Sequence, residues 1–512
     1  MICVLLVSAT AWASNLDTIG VTLLRTATTN LNGSGIRVGQ PEAGDGTVTN
    51  WEVNPGAAGV GQPINSFTYF YSPSPYRNLS TANTFTNSLG RESGHADAVA
   101  GNFYGLAGGV ATNVTHVDNY DAGTFINYYV SGNRSISDRV ANQSFIGASS
   151  SQSTYDQIYD NYVARYNTLF VSGIGNGGPV NPPATCYNGL GVAAYGGSSS
   201  IGPTPDNGRC KPDITAPADV TSFSTPLVAG AAAVLLQAGL RGDGGSDTSA
   251  ATDSRTVKAL LLNGAVKPVG WTNGSAAPLD ARYGAGVLNV FNAYEQLAGR
   301  KQINLVLGSV STNAAHPPTG ATNTIGALSG WSFTNLTSST TLDALAHYYF
   351  NLTNGPGRAA FTATTTLVWN RQQNQTGVNH LQLFLYNAAN SNLIAACTSA
   401  VDNVQHLFVP SLPPGRYDLQ VLKKGGSYVS ASETYALAYE FFSMSLTVTG
   451  AGPNLVLQWP IYPASFVLES TTNLAPPVQW STNNAAPAVT NNRNYLVLSA
   501  TNGSQLFRLR RP

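Results

Sequence analysis

A serine with nucleophilic potential, Ser222, lies where a polar segment meets an apolar run in "APADVTSFSTPLVAGAAAVLL", residues 216–236. The apolar run predicts a buried helix that begins near Thr225, with Pro226 in its first turn. Backbone N–H groups at the start of such a helix lack intrahelical acceptors and can stabilise an oxyanion. Ser222 is therefore a candidate nucleophile. The alternative is that hydroxyls here, Ser224 or Thr225 above all, only cap the helix.

A serine nucleophile needs a base, and the base needs an orienting carboxylate. The first 299 residues contain two histidines, His95 and His116. His95 stands in "SGHADAVAGNFYG", at the start of a predicted helix of small residues, where its imidazole would be accessible for proton transfer. Glu42 follows a predicted strand, "GIRVGQ", at the end where a parallel sheet presents functional groups. Asn176, in "VSGIGNGG", follows another predicted strand and offers an amide donor for an oxyanion.

Alternating secondary structure must position these residues. Up to residue 299, strand-like and helix-like segments alternate with Gly-rich joins, which predicts an α/β domain with a parallel sheet. After residue 300 the helical pattern fades into short strand candidates separated by turn signals such as "PPG" and "KKGG". Alternating apolar residues, for example Leu381, Leu383 and Leu385, predict an antiparallel β-sandwich there. A Gly-Pro joint near residue 450 precedes a last, smaller β module.

The N-terminal run "MICVLLVSATAWAS" is apolar and ends in Ala11-Trp12-Ala13, an A-x-A cleavage pattern. It predicts a signal peptide and a secreted protein; the alternative is an N-terminal strand. No later stretch of the sequence approaches the length of a membrane span. We therefore divide the chain into a signal peptide (1–13), an α/β domain (14–299), a β-sandwich (300–449) and a small C-terminal β module (450–512).

Composition restricts the possible partners. The 25 basic and 25 acidic residues cancel, and only 10% of the 512 residues are charged. A neutral chain of this kind implies neither nucleic acid nor an anionic membrane surface as a partner. No Cys/His cluster has zinc spacing and no loop matches a calcium signature, so we predict neither a metal nor a cofactor.

Two cysteines flank one Gly/Ser-rich loop. Cys186 and Cys210 could form a disulfide if the protein is exported to an oxidising compartment. The alternative is two buried free thiols. The sequence does not decide between them, because it does not set the distance between the two Cα atoms.

Several motifs in one order resemble the subtilisin-like serine peptidases, over about residues 17–299. "TSFSTPLVAGAAAVLL" resembles the family's nucleophile motif, with Ser222 as nucleophile, and "GHADAVAG" its histidine motif, with His95 as general base. "GIGNGG" resembles the motif that carries the oxyanion donor, here Asn176. "VANQSFIG" resembles the strand that pairs with substrate, through Ser144 and Gly147. "GRCKPDITAP" and "YGAGVLN" resemble further family stretches. The resemblance implies a subtilisin-like fold and an endopeptidase acting on proteins or peptides.

The sequence departs from the family in its carboxylate. Glu42-Ala43-Gly44 stands where the family has Asp in a D-S/T-G motif. Glu is one methylene longer, but it can still accept from the imidazole N–H and hold the correct tautomer. Asp45 and Asp97 are lower-ranked substitutes, since Asp97 lies too near His95 along its own helix.

The segment before the nucleophile is also unusual. Only Ala218-Asp219-Val220 stand between "AP" and "TS", where family members carry a much longer segment. This shortening should reshape the substrate cleft. It also motivates a second function, a catalytically impaired relative that acts as a surface or binding protein.

The β modules resemble domains that follow catalytic domains in secreted bacterial peptidases. They could serve as spacers, or contact polysaccharide or a cell surface. Trp369, Trp459 and Trp480 are candidate sugar platforms; the alternative is that they fill the cores of the sandwiches.

Overall fold

The computed structural model describes residues 14–44, 49–72, 82–353, 360–426, 429–443, 446–451, 453–460, 466–490, 493–499 and 504–510. The predicted signal peptide, residues 1–13, lies outside this part of the chain. The predicted domain boundaries at 299 and 449 stay predictions; the last helix of the first region ends at Ala298 and the first strand of the second begins at Val306.

A mostly parallel sheet forms the centre of the first domain. Its strands are β1 (Arg37–Glu42), β2 (Phe67–Tyr71), β3 (Asn83–Phe85), β4 (His116–Asp121), β5 (Val140–Gln143), β6 (Leu169–Gly173), β7 (Leu190–Tyr195) and β8 (Ile214–Pro217). They lie in the order β3-β2-β4-β1-β5-β6-β7-β8, and only β3 is antiparallel to its neighbour. The segments that follow β1, β5, β6 and β7 therefore meet along one edge of the sheet.

Helices surround this sheet. In the part of the chain that the structure describes they are α1 (Asn15–Thr18), α2 (Val21–Ala27), α3 (Gly94–Phe103), α4 (Ala122–Thr124), α5 (Gln152–Tyr166), α6 (Thr221–Arg241), α7 (Thr248–Ala251), α8 (Ser254–Asn263) and α9 (Val290–Ala298). A π-helical segment, Phe125–Val130, follows α4. The expectation that no stretch after the N-terminal run approaches the length of a membrane span is wrong, because α6 is long and apolar enough to cross a membrane. Of its most apolar window, however, 89% is buried within the protein, as expected of a central core helix.

The three cysteines in the described residues are free thiols, so the open question of a Cys186–Cys210 disulfide is answered against the bridge. The two side chains pack in different places. The Cys186 side chain lies among aromatic residues of α5 and β6, whereas the Cys210 side chain packs against the large core around α6. The backbone N–H of Cys210 donates to Asp402 in the β-sandwich, at 2.7 Å. Burial raises the pKa of each thiol to about 12.

Two antiparallel sheets form the β-sandwich, as predicted. The strands are β9 (Val306–Ser311), β10 (Ser329–Thr337), β11 (Leu342–Leu352), β12 (Phe361–Trp369), β13 (Leu381–Asn387), β14 (Leu393–Cys397), β15 (Val404–Leu412), β16 (Gly415–Lys423) and β17 (Ser432–Phe442). One sheet has the order β10-β17-β12-β15 and the other β14-β13-β16-β11-β9. The alternating leucines of β13 all point into the shared core.

The first sheet of the sandwich packs against α8 and α9. Asn263, on α8, accepts hydrogen bonds from the hydroxyls of Thr364 and Thr366 at 3.1 and 3.0 Å. Arg371 forms a buried ion pair with Asp160 of α5 at 2.8 Å. These buried polar side chains have partners across the contact between the α/β domain and the sandwich, so the contact combines polar pairs with apolar packing.

A small module of two further sheets follows. Its strands are β18 (Thr447–Ala451), β19 (Asn454–Pro460), β20 (Val467–Thr471), β21 (Ser481–Thr482), β22 (Ala488–Thr490), β23 (Arg493–Ser499) and β24 (Leu506–Arg510). Trp369 and Trp459 are buried in the cores of their modules, so for these two residues the core alternative is confirmed over the sugar platform. Trp480 stacks under the Arg508 guanidinium, 4.2 Å from its ring centroid.

Candidate active site

Glu42 and His95 meet at the carboxyl edge of the central sheet. Glu42 is the last residue of β1, and His95 is the second residue of α3, whose start is capped by the Ser93 hydroxyl. Glu42 Oε2 lies 3.1 Å from His95 Nδ1. The Glu42 side chain is only 1% exposed, whereas the His95 side chain is 33% exposed. A buried carboxylate against one imidazole nitrogen orients the ring, so that the other nitrogen can exchange protons with a substrate or nucleophile.

Gln40 fixes the second oxygen of this carboxylate. Gln40 Nε2 donates to Glu42 Oε1 at 2.8 Å and to the Ala96 carbonyl oxygen at 3.0 Å. The Tyr104 hydroxyl in turn donates to Gln40 Oε1 at 2.5 Å. Gln40 was not among the predicted site residues, although its place two residues before Glu42 on a strand puts both side chains on one face of the sheet.

Asp97, one of the two substitute carboxylates, has a partner other than His95. Asp97 accepts a hydrogen bond from the backbone N–H of Asn54 at 2.7 Å, away from His95, and burial raises the pKa of Asp97. Asp45 lies outside the described residues. His116 begins β4, at the opposite edge of the sheet, and lies 2.8 Å from the Thr68 hydroxyl.

Ser222 is the second residue of α6. The helix begins at Thr221, so the expected start near Thr225 is wrong, and Pro226 lies inside the helix rather than in its first turn. The hydroxyls of Ser224 and Thr225 do not cap it; they donate to the Thr221 carbonyl oxygen at 3.2 and 2.6 Å. Pro226 has no N–H and therefore cannot donate to the carbonyl four residues before it, that of Ser222. The helix can still begin at Thr221 if this carbonyl finds another donor.

That partner is Ser144. Pro226 has no N–H for the carbonyl of Ser222, and the Ser144 hydroxyl donates to this oxygen instead, at 2.9 Å. Asn142 Nδ2 supports Ser144 Oγ at 3.0 Å. The Ser144 side chain thus holds the main chain of the candidate nucleophile from the neighbouring strand end.

His95 and the start of α6 are neighbours. The imidazole and the ring of Phe223 lie with their centroids 6.1 Å apart, next to Ser222. Within the described residues, Ser222 Oγ makes no hydrogen bond. Catalytic hydrogen bonds are often long without substrate and tighten when it binds.

Asn176 is bound to the start of α6, next to Ser222. Asn176 Oδ1 accepts from both the backbone N–H and the hydroxyl of Thr221, each at 2.8 Å. Because Oδ1 is used in this contact, Nδ2 is the Asn176 group that can donate to an oxyanion. In the described part of the chain, neither Asn176 Nδ2 nor the Ser222 backbone N–H has an acceptor. Gly175, with φ of 104°, permits the sharp turn that carries Asn176.

The candidate substrate-pairing residue Gly147 lies at the same edge. Its N–H donates to the Pro182 carbonyl oxygen at 2.6 Å, and a side chain there would press on the ring of Tyr155, 2.8 Å away. The backbone N–H of Gly147 is therefore engaged within the protein. Pairing of the Ser144–Gly147 segment with substrate stays a prediction.

The family comparison agrees with this geometry. Residues 76–286 match the model of the Subtilase family. The α/β domain is a subtilase domain. The matched range contains His95, Asn176 and Ser222, but begins after Glu42. This domain is similar to the subtilisin-like serine peptidases, and antiparallel β modules follow it along the chain.

Solved structures similar to the chain include two proteases and a macrocyclase. The prenylagaramide maturation protease PagA is 19% identical and covers 55% of this chain and 99% of its own, with a TM-score of 0.37. The PatG macrocyclase in complex with peptide is 16% identical, covering 56% and 98%, with a TM-score of 0.39. The psychrophilic subtilisin-like protease Apa1 from the Antarctic psychrotroph Pseudoalteromonas sp. AS-11 is 12% identical, covering 55% and 98%, with a TM-score of 0.32. No curated protein sequence matches the chain.

The subtilase domain connects β8 to α6 through Ala218–Val220 alone. The N–H of Ala218 donates to the Tyr195 carbonyl oxygen at 3.3 Å, and the Asp219 carbonyl oxygen accepts from Ser198 at 2.8 Å. These bonds tie the short connection to the end of β7. The shortened segment therefore still delivers Ser222 to the edge where His95 and Asn176 lie. Across the described residues, no group of three or more His, Cys, Asp or Glu could hold a metal ion.

Proposed function

We propose that the protein is a secreted serine endopeptidase that uses Ser222, His95 and Glu42 as its catalytic triad. The contact of 3.1 Å between Glu42 Oε2 and His95 Nδ1 is the observation that carries this proposal. It supports Glu42 as the orienting carboxylate because one oxygen faces the imidazole while Gln40 holds the other. The substrates are proteins or peptides, and the proposed chemistry requires no cofactor.

In the proposed mechanism, Ser222 Oγ attacks the peptide carbonyl carbon while His95 Nε2 takes the hydroxyl proton. Glu42 stabilises the imidazolium through Nδ1–H without itself taking the proton. Asn176 Nδ2 and the Ser222 N–H donate to the oxyanion of the tetrahedral intermediate. His95 then protonates the leaving amine as the C–N bond breaks. Water, activated by His95, hydrolyses the acyl-enzyme and restores the Ser222 hydroxyl.

Secretion is proposed from the A-x-A pattern at Ala11–Ala13. Mass spectrometry of the N-terminus of protein collected outside the expressing cells should find Ser14 as the first residue. An intact N-terminus on exported protein would contradict cleavage at this site, and retention inside the cell would contradict export.

Fluorophosphonate labelling tests the catalytic proposal most directly. The reagent should form one adduct on folded protein, at Ser222, and Ser222→Ala should abolish it. Ser224→Ala, two residues along the same helix, is the matched control and should still be labelled. Absence of an adduct on correctly folded wild-type protein would overturn the proposal in favour of a catalytically impaired relative.

A further inference from the structure

A cavity of about 560 Å³ opens directly beside Asn176. Its walls come from the end of β7 at Tyr195, from the segment that follows, including Ser198, and from Arg282 and Tyr283. The rings of Tyr195 and Tyr283 lie edge to face, 6.1 Å apart. The short connection between β8 and α6 closes behind Ser198 through the 2.8 Å bond to Asp219. The cavity is thus part of the same edge of the sheet as the candidate active site.

The strand order gives the direction of this cavity relative to a bound peptide. β5, β6 and β7 are consecutive neighbours in the sheet. The Ser144–Gly147 segment follows β5, Asn176 follows β6, and the cavity wall follows β7. The cavity and Ser144–Gly147 therefore lie on opposite sides of Asn176. If the acyl half of the peptide lies along Ser144–Gly147, the leaving-group half passes the cavity.

Arg282 gives the cavity its charge. The Asp280 carboxylate accepts the backbone N–H groups of Arg282 and Tyr283, each at 2.8 Å, so the main chain of this turn is fixed. The guanidinium itself is exposed, stands 6.0 Å from the Tyr283 ring centroid, and has no carboxylate partner among the described residues. Arg presents several N–H donors in a planar fork that matches a carboxylate. The serine hydroxyl of Ser198 adds a further polar group to the wall.

We propose that this cavity binds a carboxylate on the leaving-group half of the peptide substrate, with Arg282 as the residue that selects it. The inference rests on the proposed peptidase function and adds a substrate class to it. The carboxylate has two chemical sources: an acidic side chain one or two residues after the scissile bond, or the free C-terminus of a short leaving group. An exposed arginine contributes modestly, so we expect a preference of about three- to tenfold in kcat/KM.

Matched peptides separate these sources. One set, with amidated C-termini, carries Asp or Asn at the first or second position after the scissile bond. A second set lacks acidic residues and ends two residues after that bond, as a free carboxylate or an amide. The wild-type enzyme should prefer the charged member of at least one set. Arg282→Gln should remove that preference, and Arg282→Glu should reverse it.

Arg165→Gln is the matched control, an exposed arginine in the last turn of α5, at the far edge of the sheet. It should keep the wild-type preference. Fluorophosphonate labelling of Ser222 should be the same in all variants, since the reagent carries no leaving-group peptide. Normal labelling and cleavage with no charge preference, or with one that survives Arg282→Gln, would overturn this inference and leave the proposed function intact. Absence of labelling in the wild type would overturn both.

Discussion

Ser144 donates its hydroxyl hydrogen to the main-chain oxygen of Ser222, the acceptor that Pro226 leaves without a helical partner. The relationship explains how a helix can begin at Thr221 despite a proline at its sixth position. It also links two strand ends, because Ser144 follows β5 and Ser222 follows β8. The candidate nucleophile is therefore held from two sides, by Ser144 at its carbonyl and by Asn176 at the N–H of Thr221.

Replacing Ser144 by Ala should weaken the position of the nucleophile more than the fold. The loss of one hydrogen bond to a partly buried carbonyl costs about 1–3 kcal/mol, and part of this should appear as a roughly tenfold lower kcat. The rate of fluorophosphonate labelling should fall in parallel, while the melting temperature should fall by only a few degrees. Ser149→Ala, at an exposed serine bonded to Asn181, is the control. A labelling rate that is unchanged in Ser144→Ala would contradict a positioning role.

Glu42→Gln should lower kcat by about 10³- to 10⁴-fold, because an amide favours the wrong imidazole tautomer and does not stabilise the imidazolium. Substrate binding should change little, so KM should stay near the wild-type value. The measurement is steady-state kinetics on a fluorogenic peptide. Glu42→Asp, which keeps the charge but shortens the side chain, should lose less activity than Glu42→Gln.

Asp97→Asn is the control for this carboxylate assignment. Asp97 holds the backbone N–H of Asn54 and not His95, so its amide variant should keep kcat within a few-fold of wild type. A harmless Glu42→Gln together with a severe Asp97→Asn would mean that the triad carboxylate is misassigned.

Asn176→Leu should remove one oxyanion donor and lower kcat by about 10²- to 10³-fold. Thr221→Val separates donation from orientation, since it keeps Nδ2 but removes the hydroxyl that fixes the amide at 2.8 Å. We expect a loss of about tenfold for Thr221→Val, again in kcat rather than KM. Equal losses in the two variants would contradict a direct role for Asn176 Nδ2.

The raised pKa of Glu433, near the contact between the subtilase domain and the sandwich, predicts that the stability of the fold depends on pH. Burial raises the pKa of this carboxyl to about 7 from its ordinary 4.5, although Asn379 and Gln372 donate to it. The folded state holds the proton more tightly than the unfolded chain. The stability contributed by this group is therefore fully present below pH 4.5 and is lost as the pH rises to about 7.

The size of this effect is on the order of 3 kcal/mol. Melting temperatures measured between pH 4 and pH 8 should decline more steeply with rising pH in the wild type than in Glu433→Gln. The variant keeps an oxygen that can accept from Asn379 but has no titrating proton. The same slope in both proteins would show that Glu433 does not titrate across this range.

The elements that the sequence predicts correctly are those in which one local pattern determines one structure. The alternation of Leu381, Leu383 and Leu385 predicted a strand there, and the three side chains lie on β13 and point into the core of the sandwich. The start of α6 was predicted wrongly, since a proline in the first turn of a helix is the commoner arrangement. The donor that satisfies the Ser222 carbonyl instead is Ser144, which lies 78 positions away in the sequence. Contacts of that separation leave no local signal in a single sequence.

In the candidate site too, some residues could be predicted from local sequence patterns and others depend on long-range contacts. Glu42, His95 and Asn176 stand at strand ends or a helix start, and parallel-sheet geometry alone brings such positions to one edge. Gln40, Thr221 and Arg282 were missed because their importance depends on which neighbour each touches. The two cysteines show the reverse case: their positions at the two ends of one loop left a bridge open, but their side chains pack in separate clusters as free thiols.

The three-residue link from β8 to α6 has a consequence for heat inactivation. A long flexible loop before Ser222 would let the catalytic end of the helix melt while the rest of the molecule stayed intact. Ala218–Val220 is instead bonded to the end of β7, and α6 continues from it as the buried axis of the domain. Enzyme activity and global structure should therefore disappear at the same temperature.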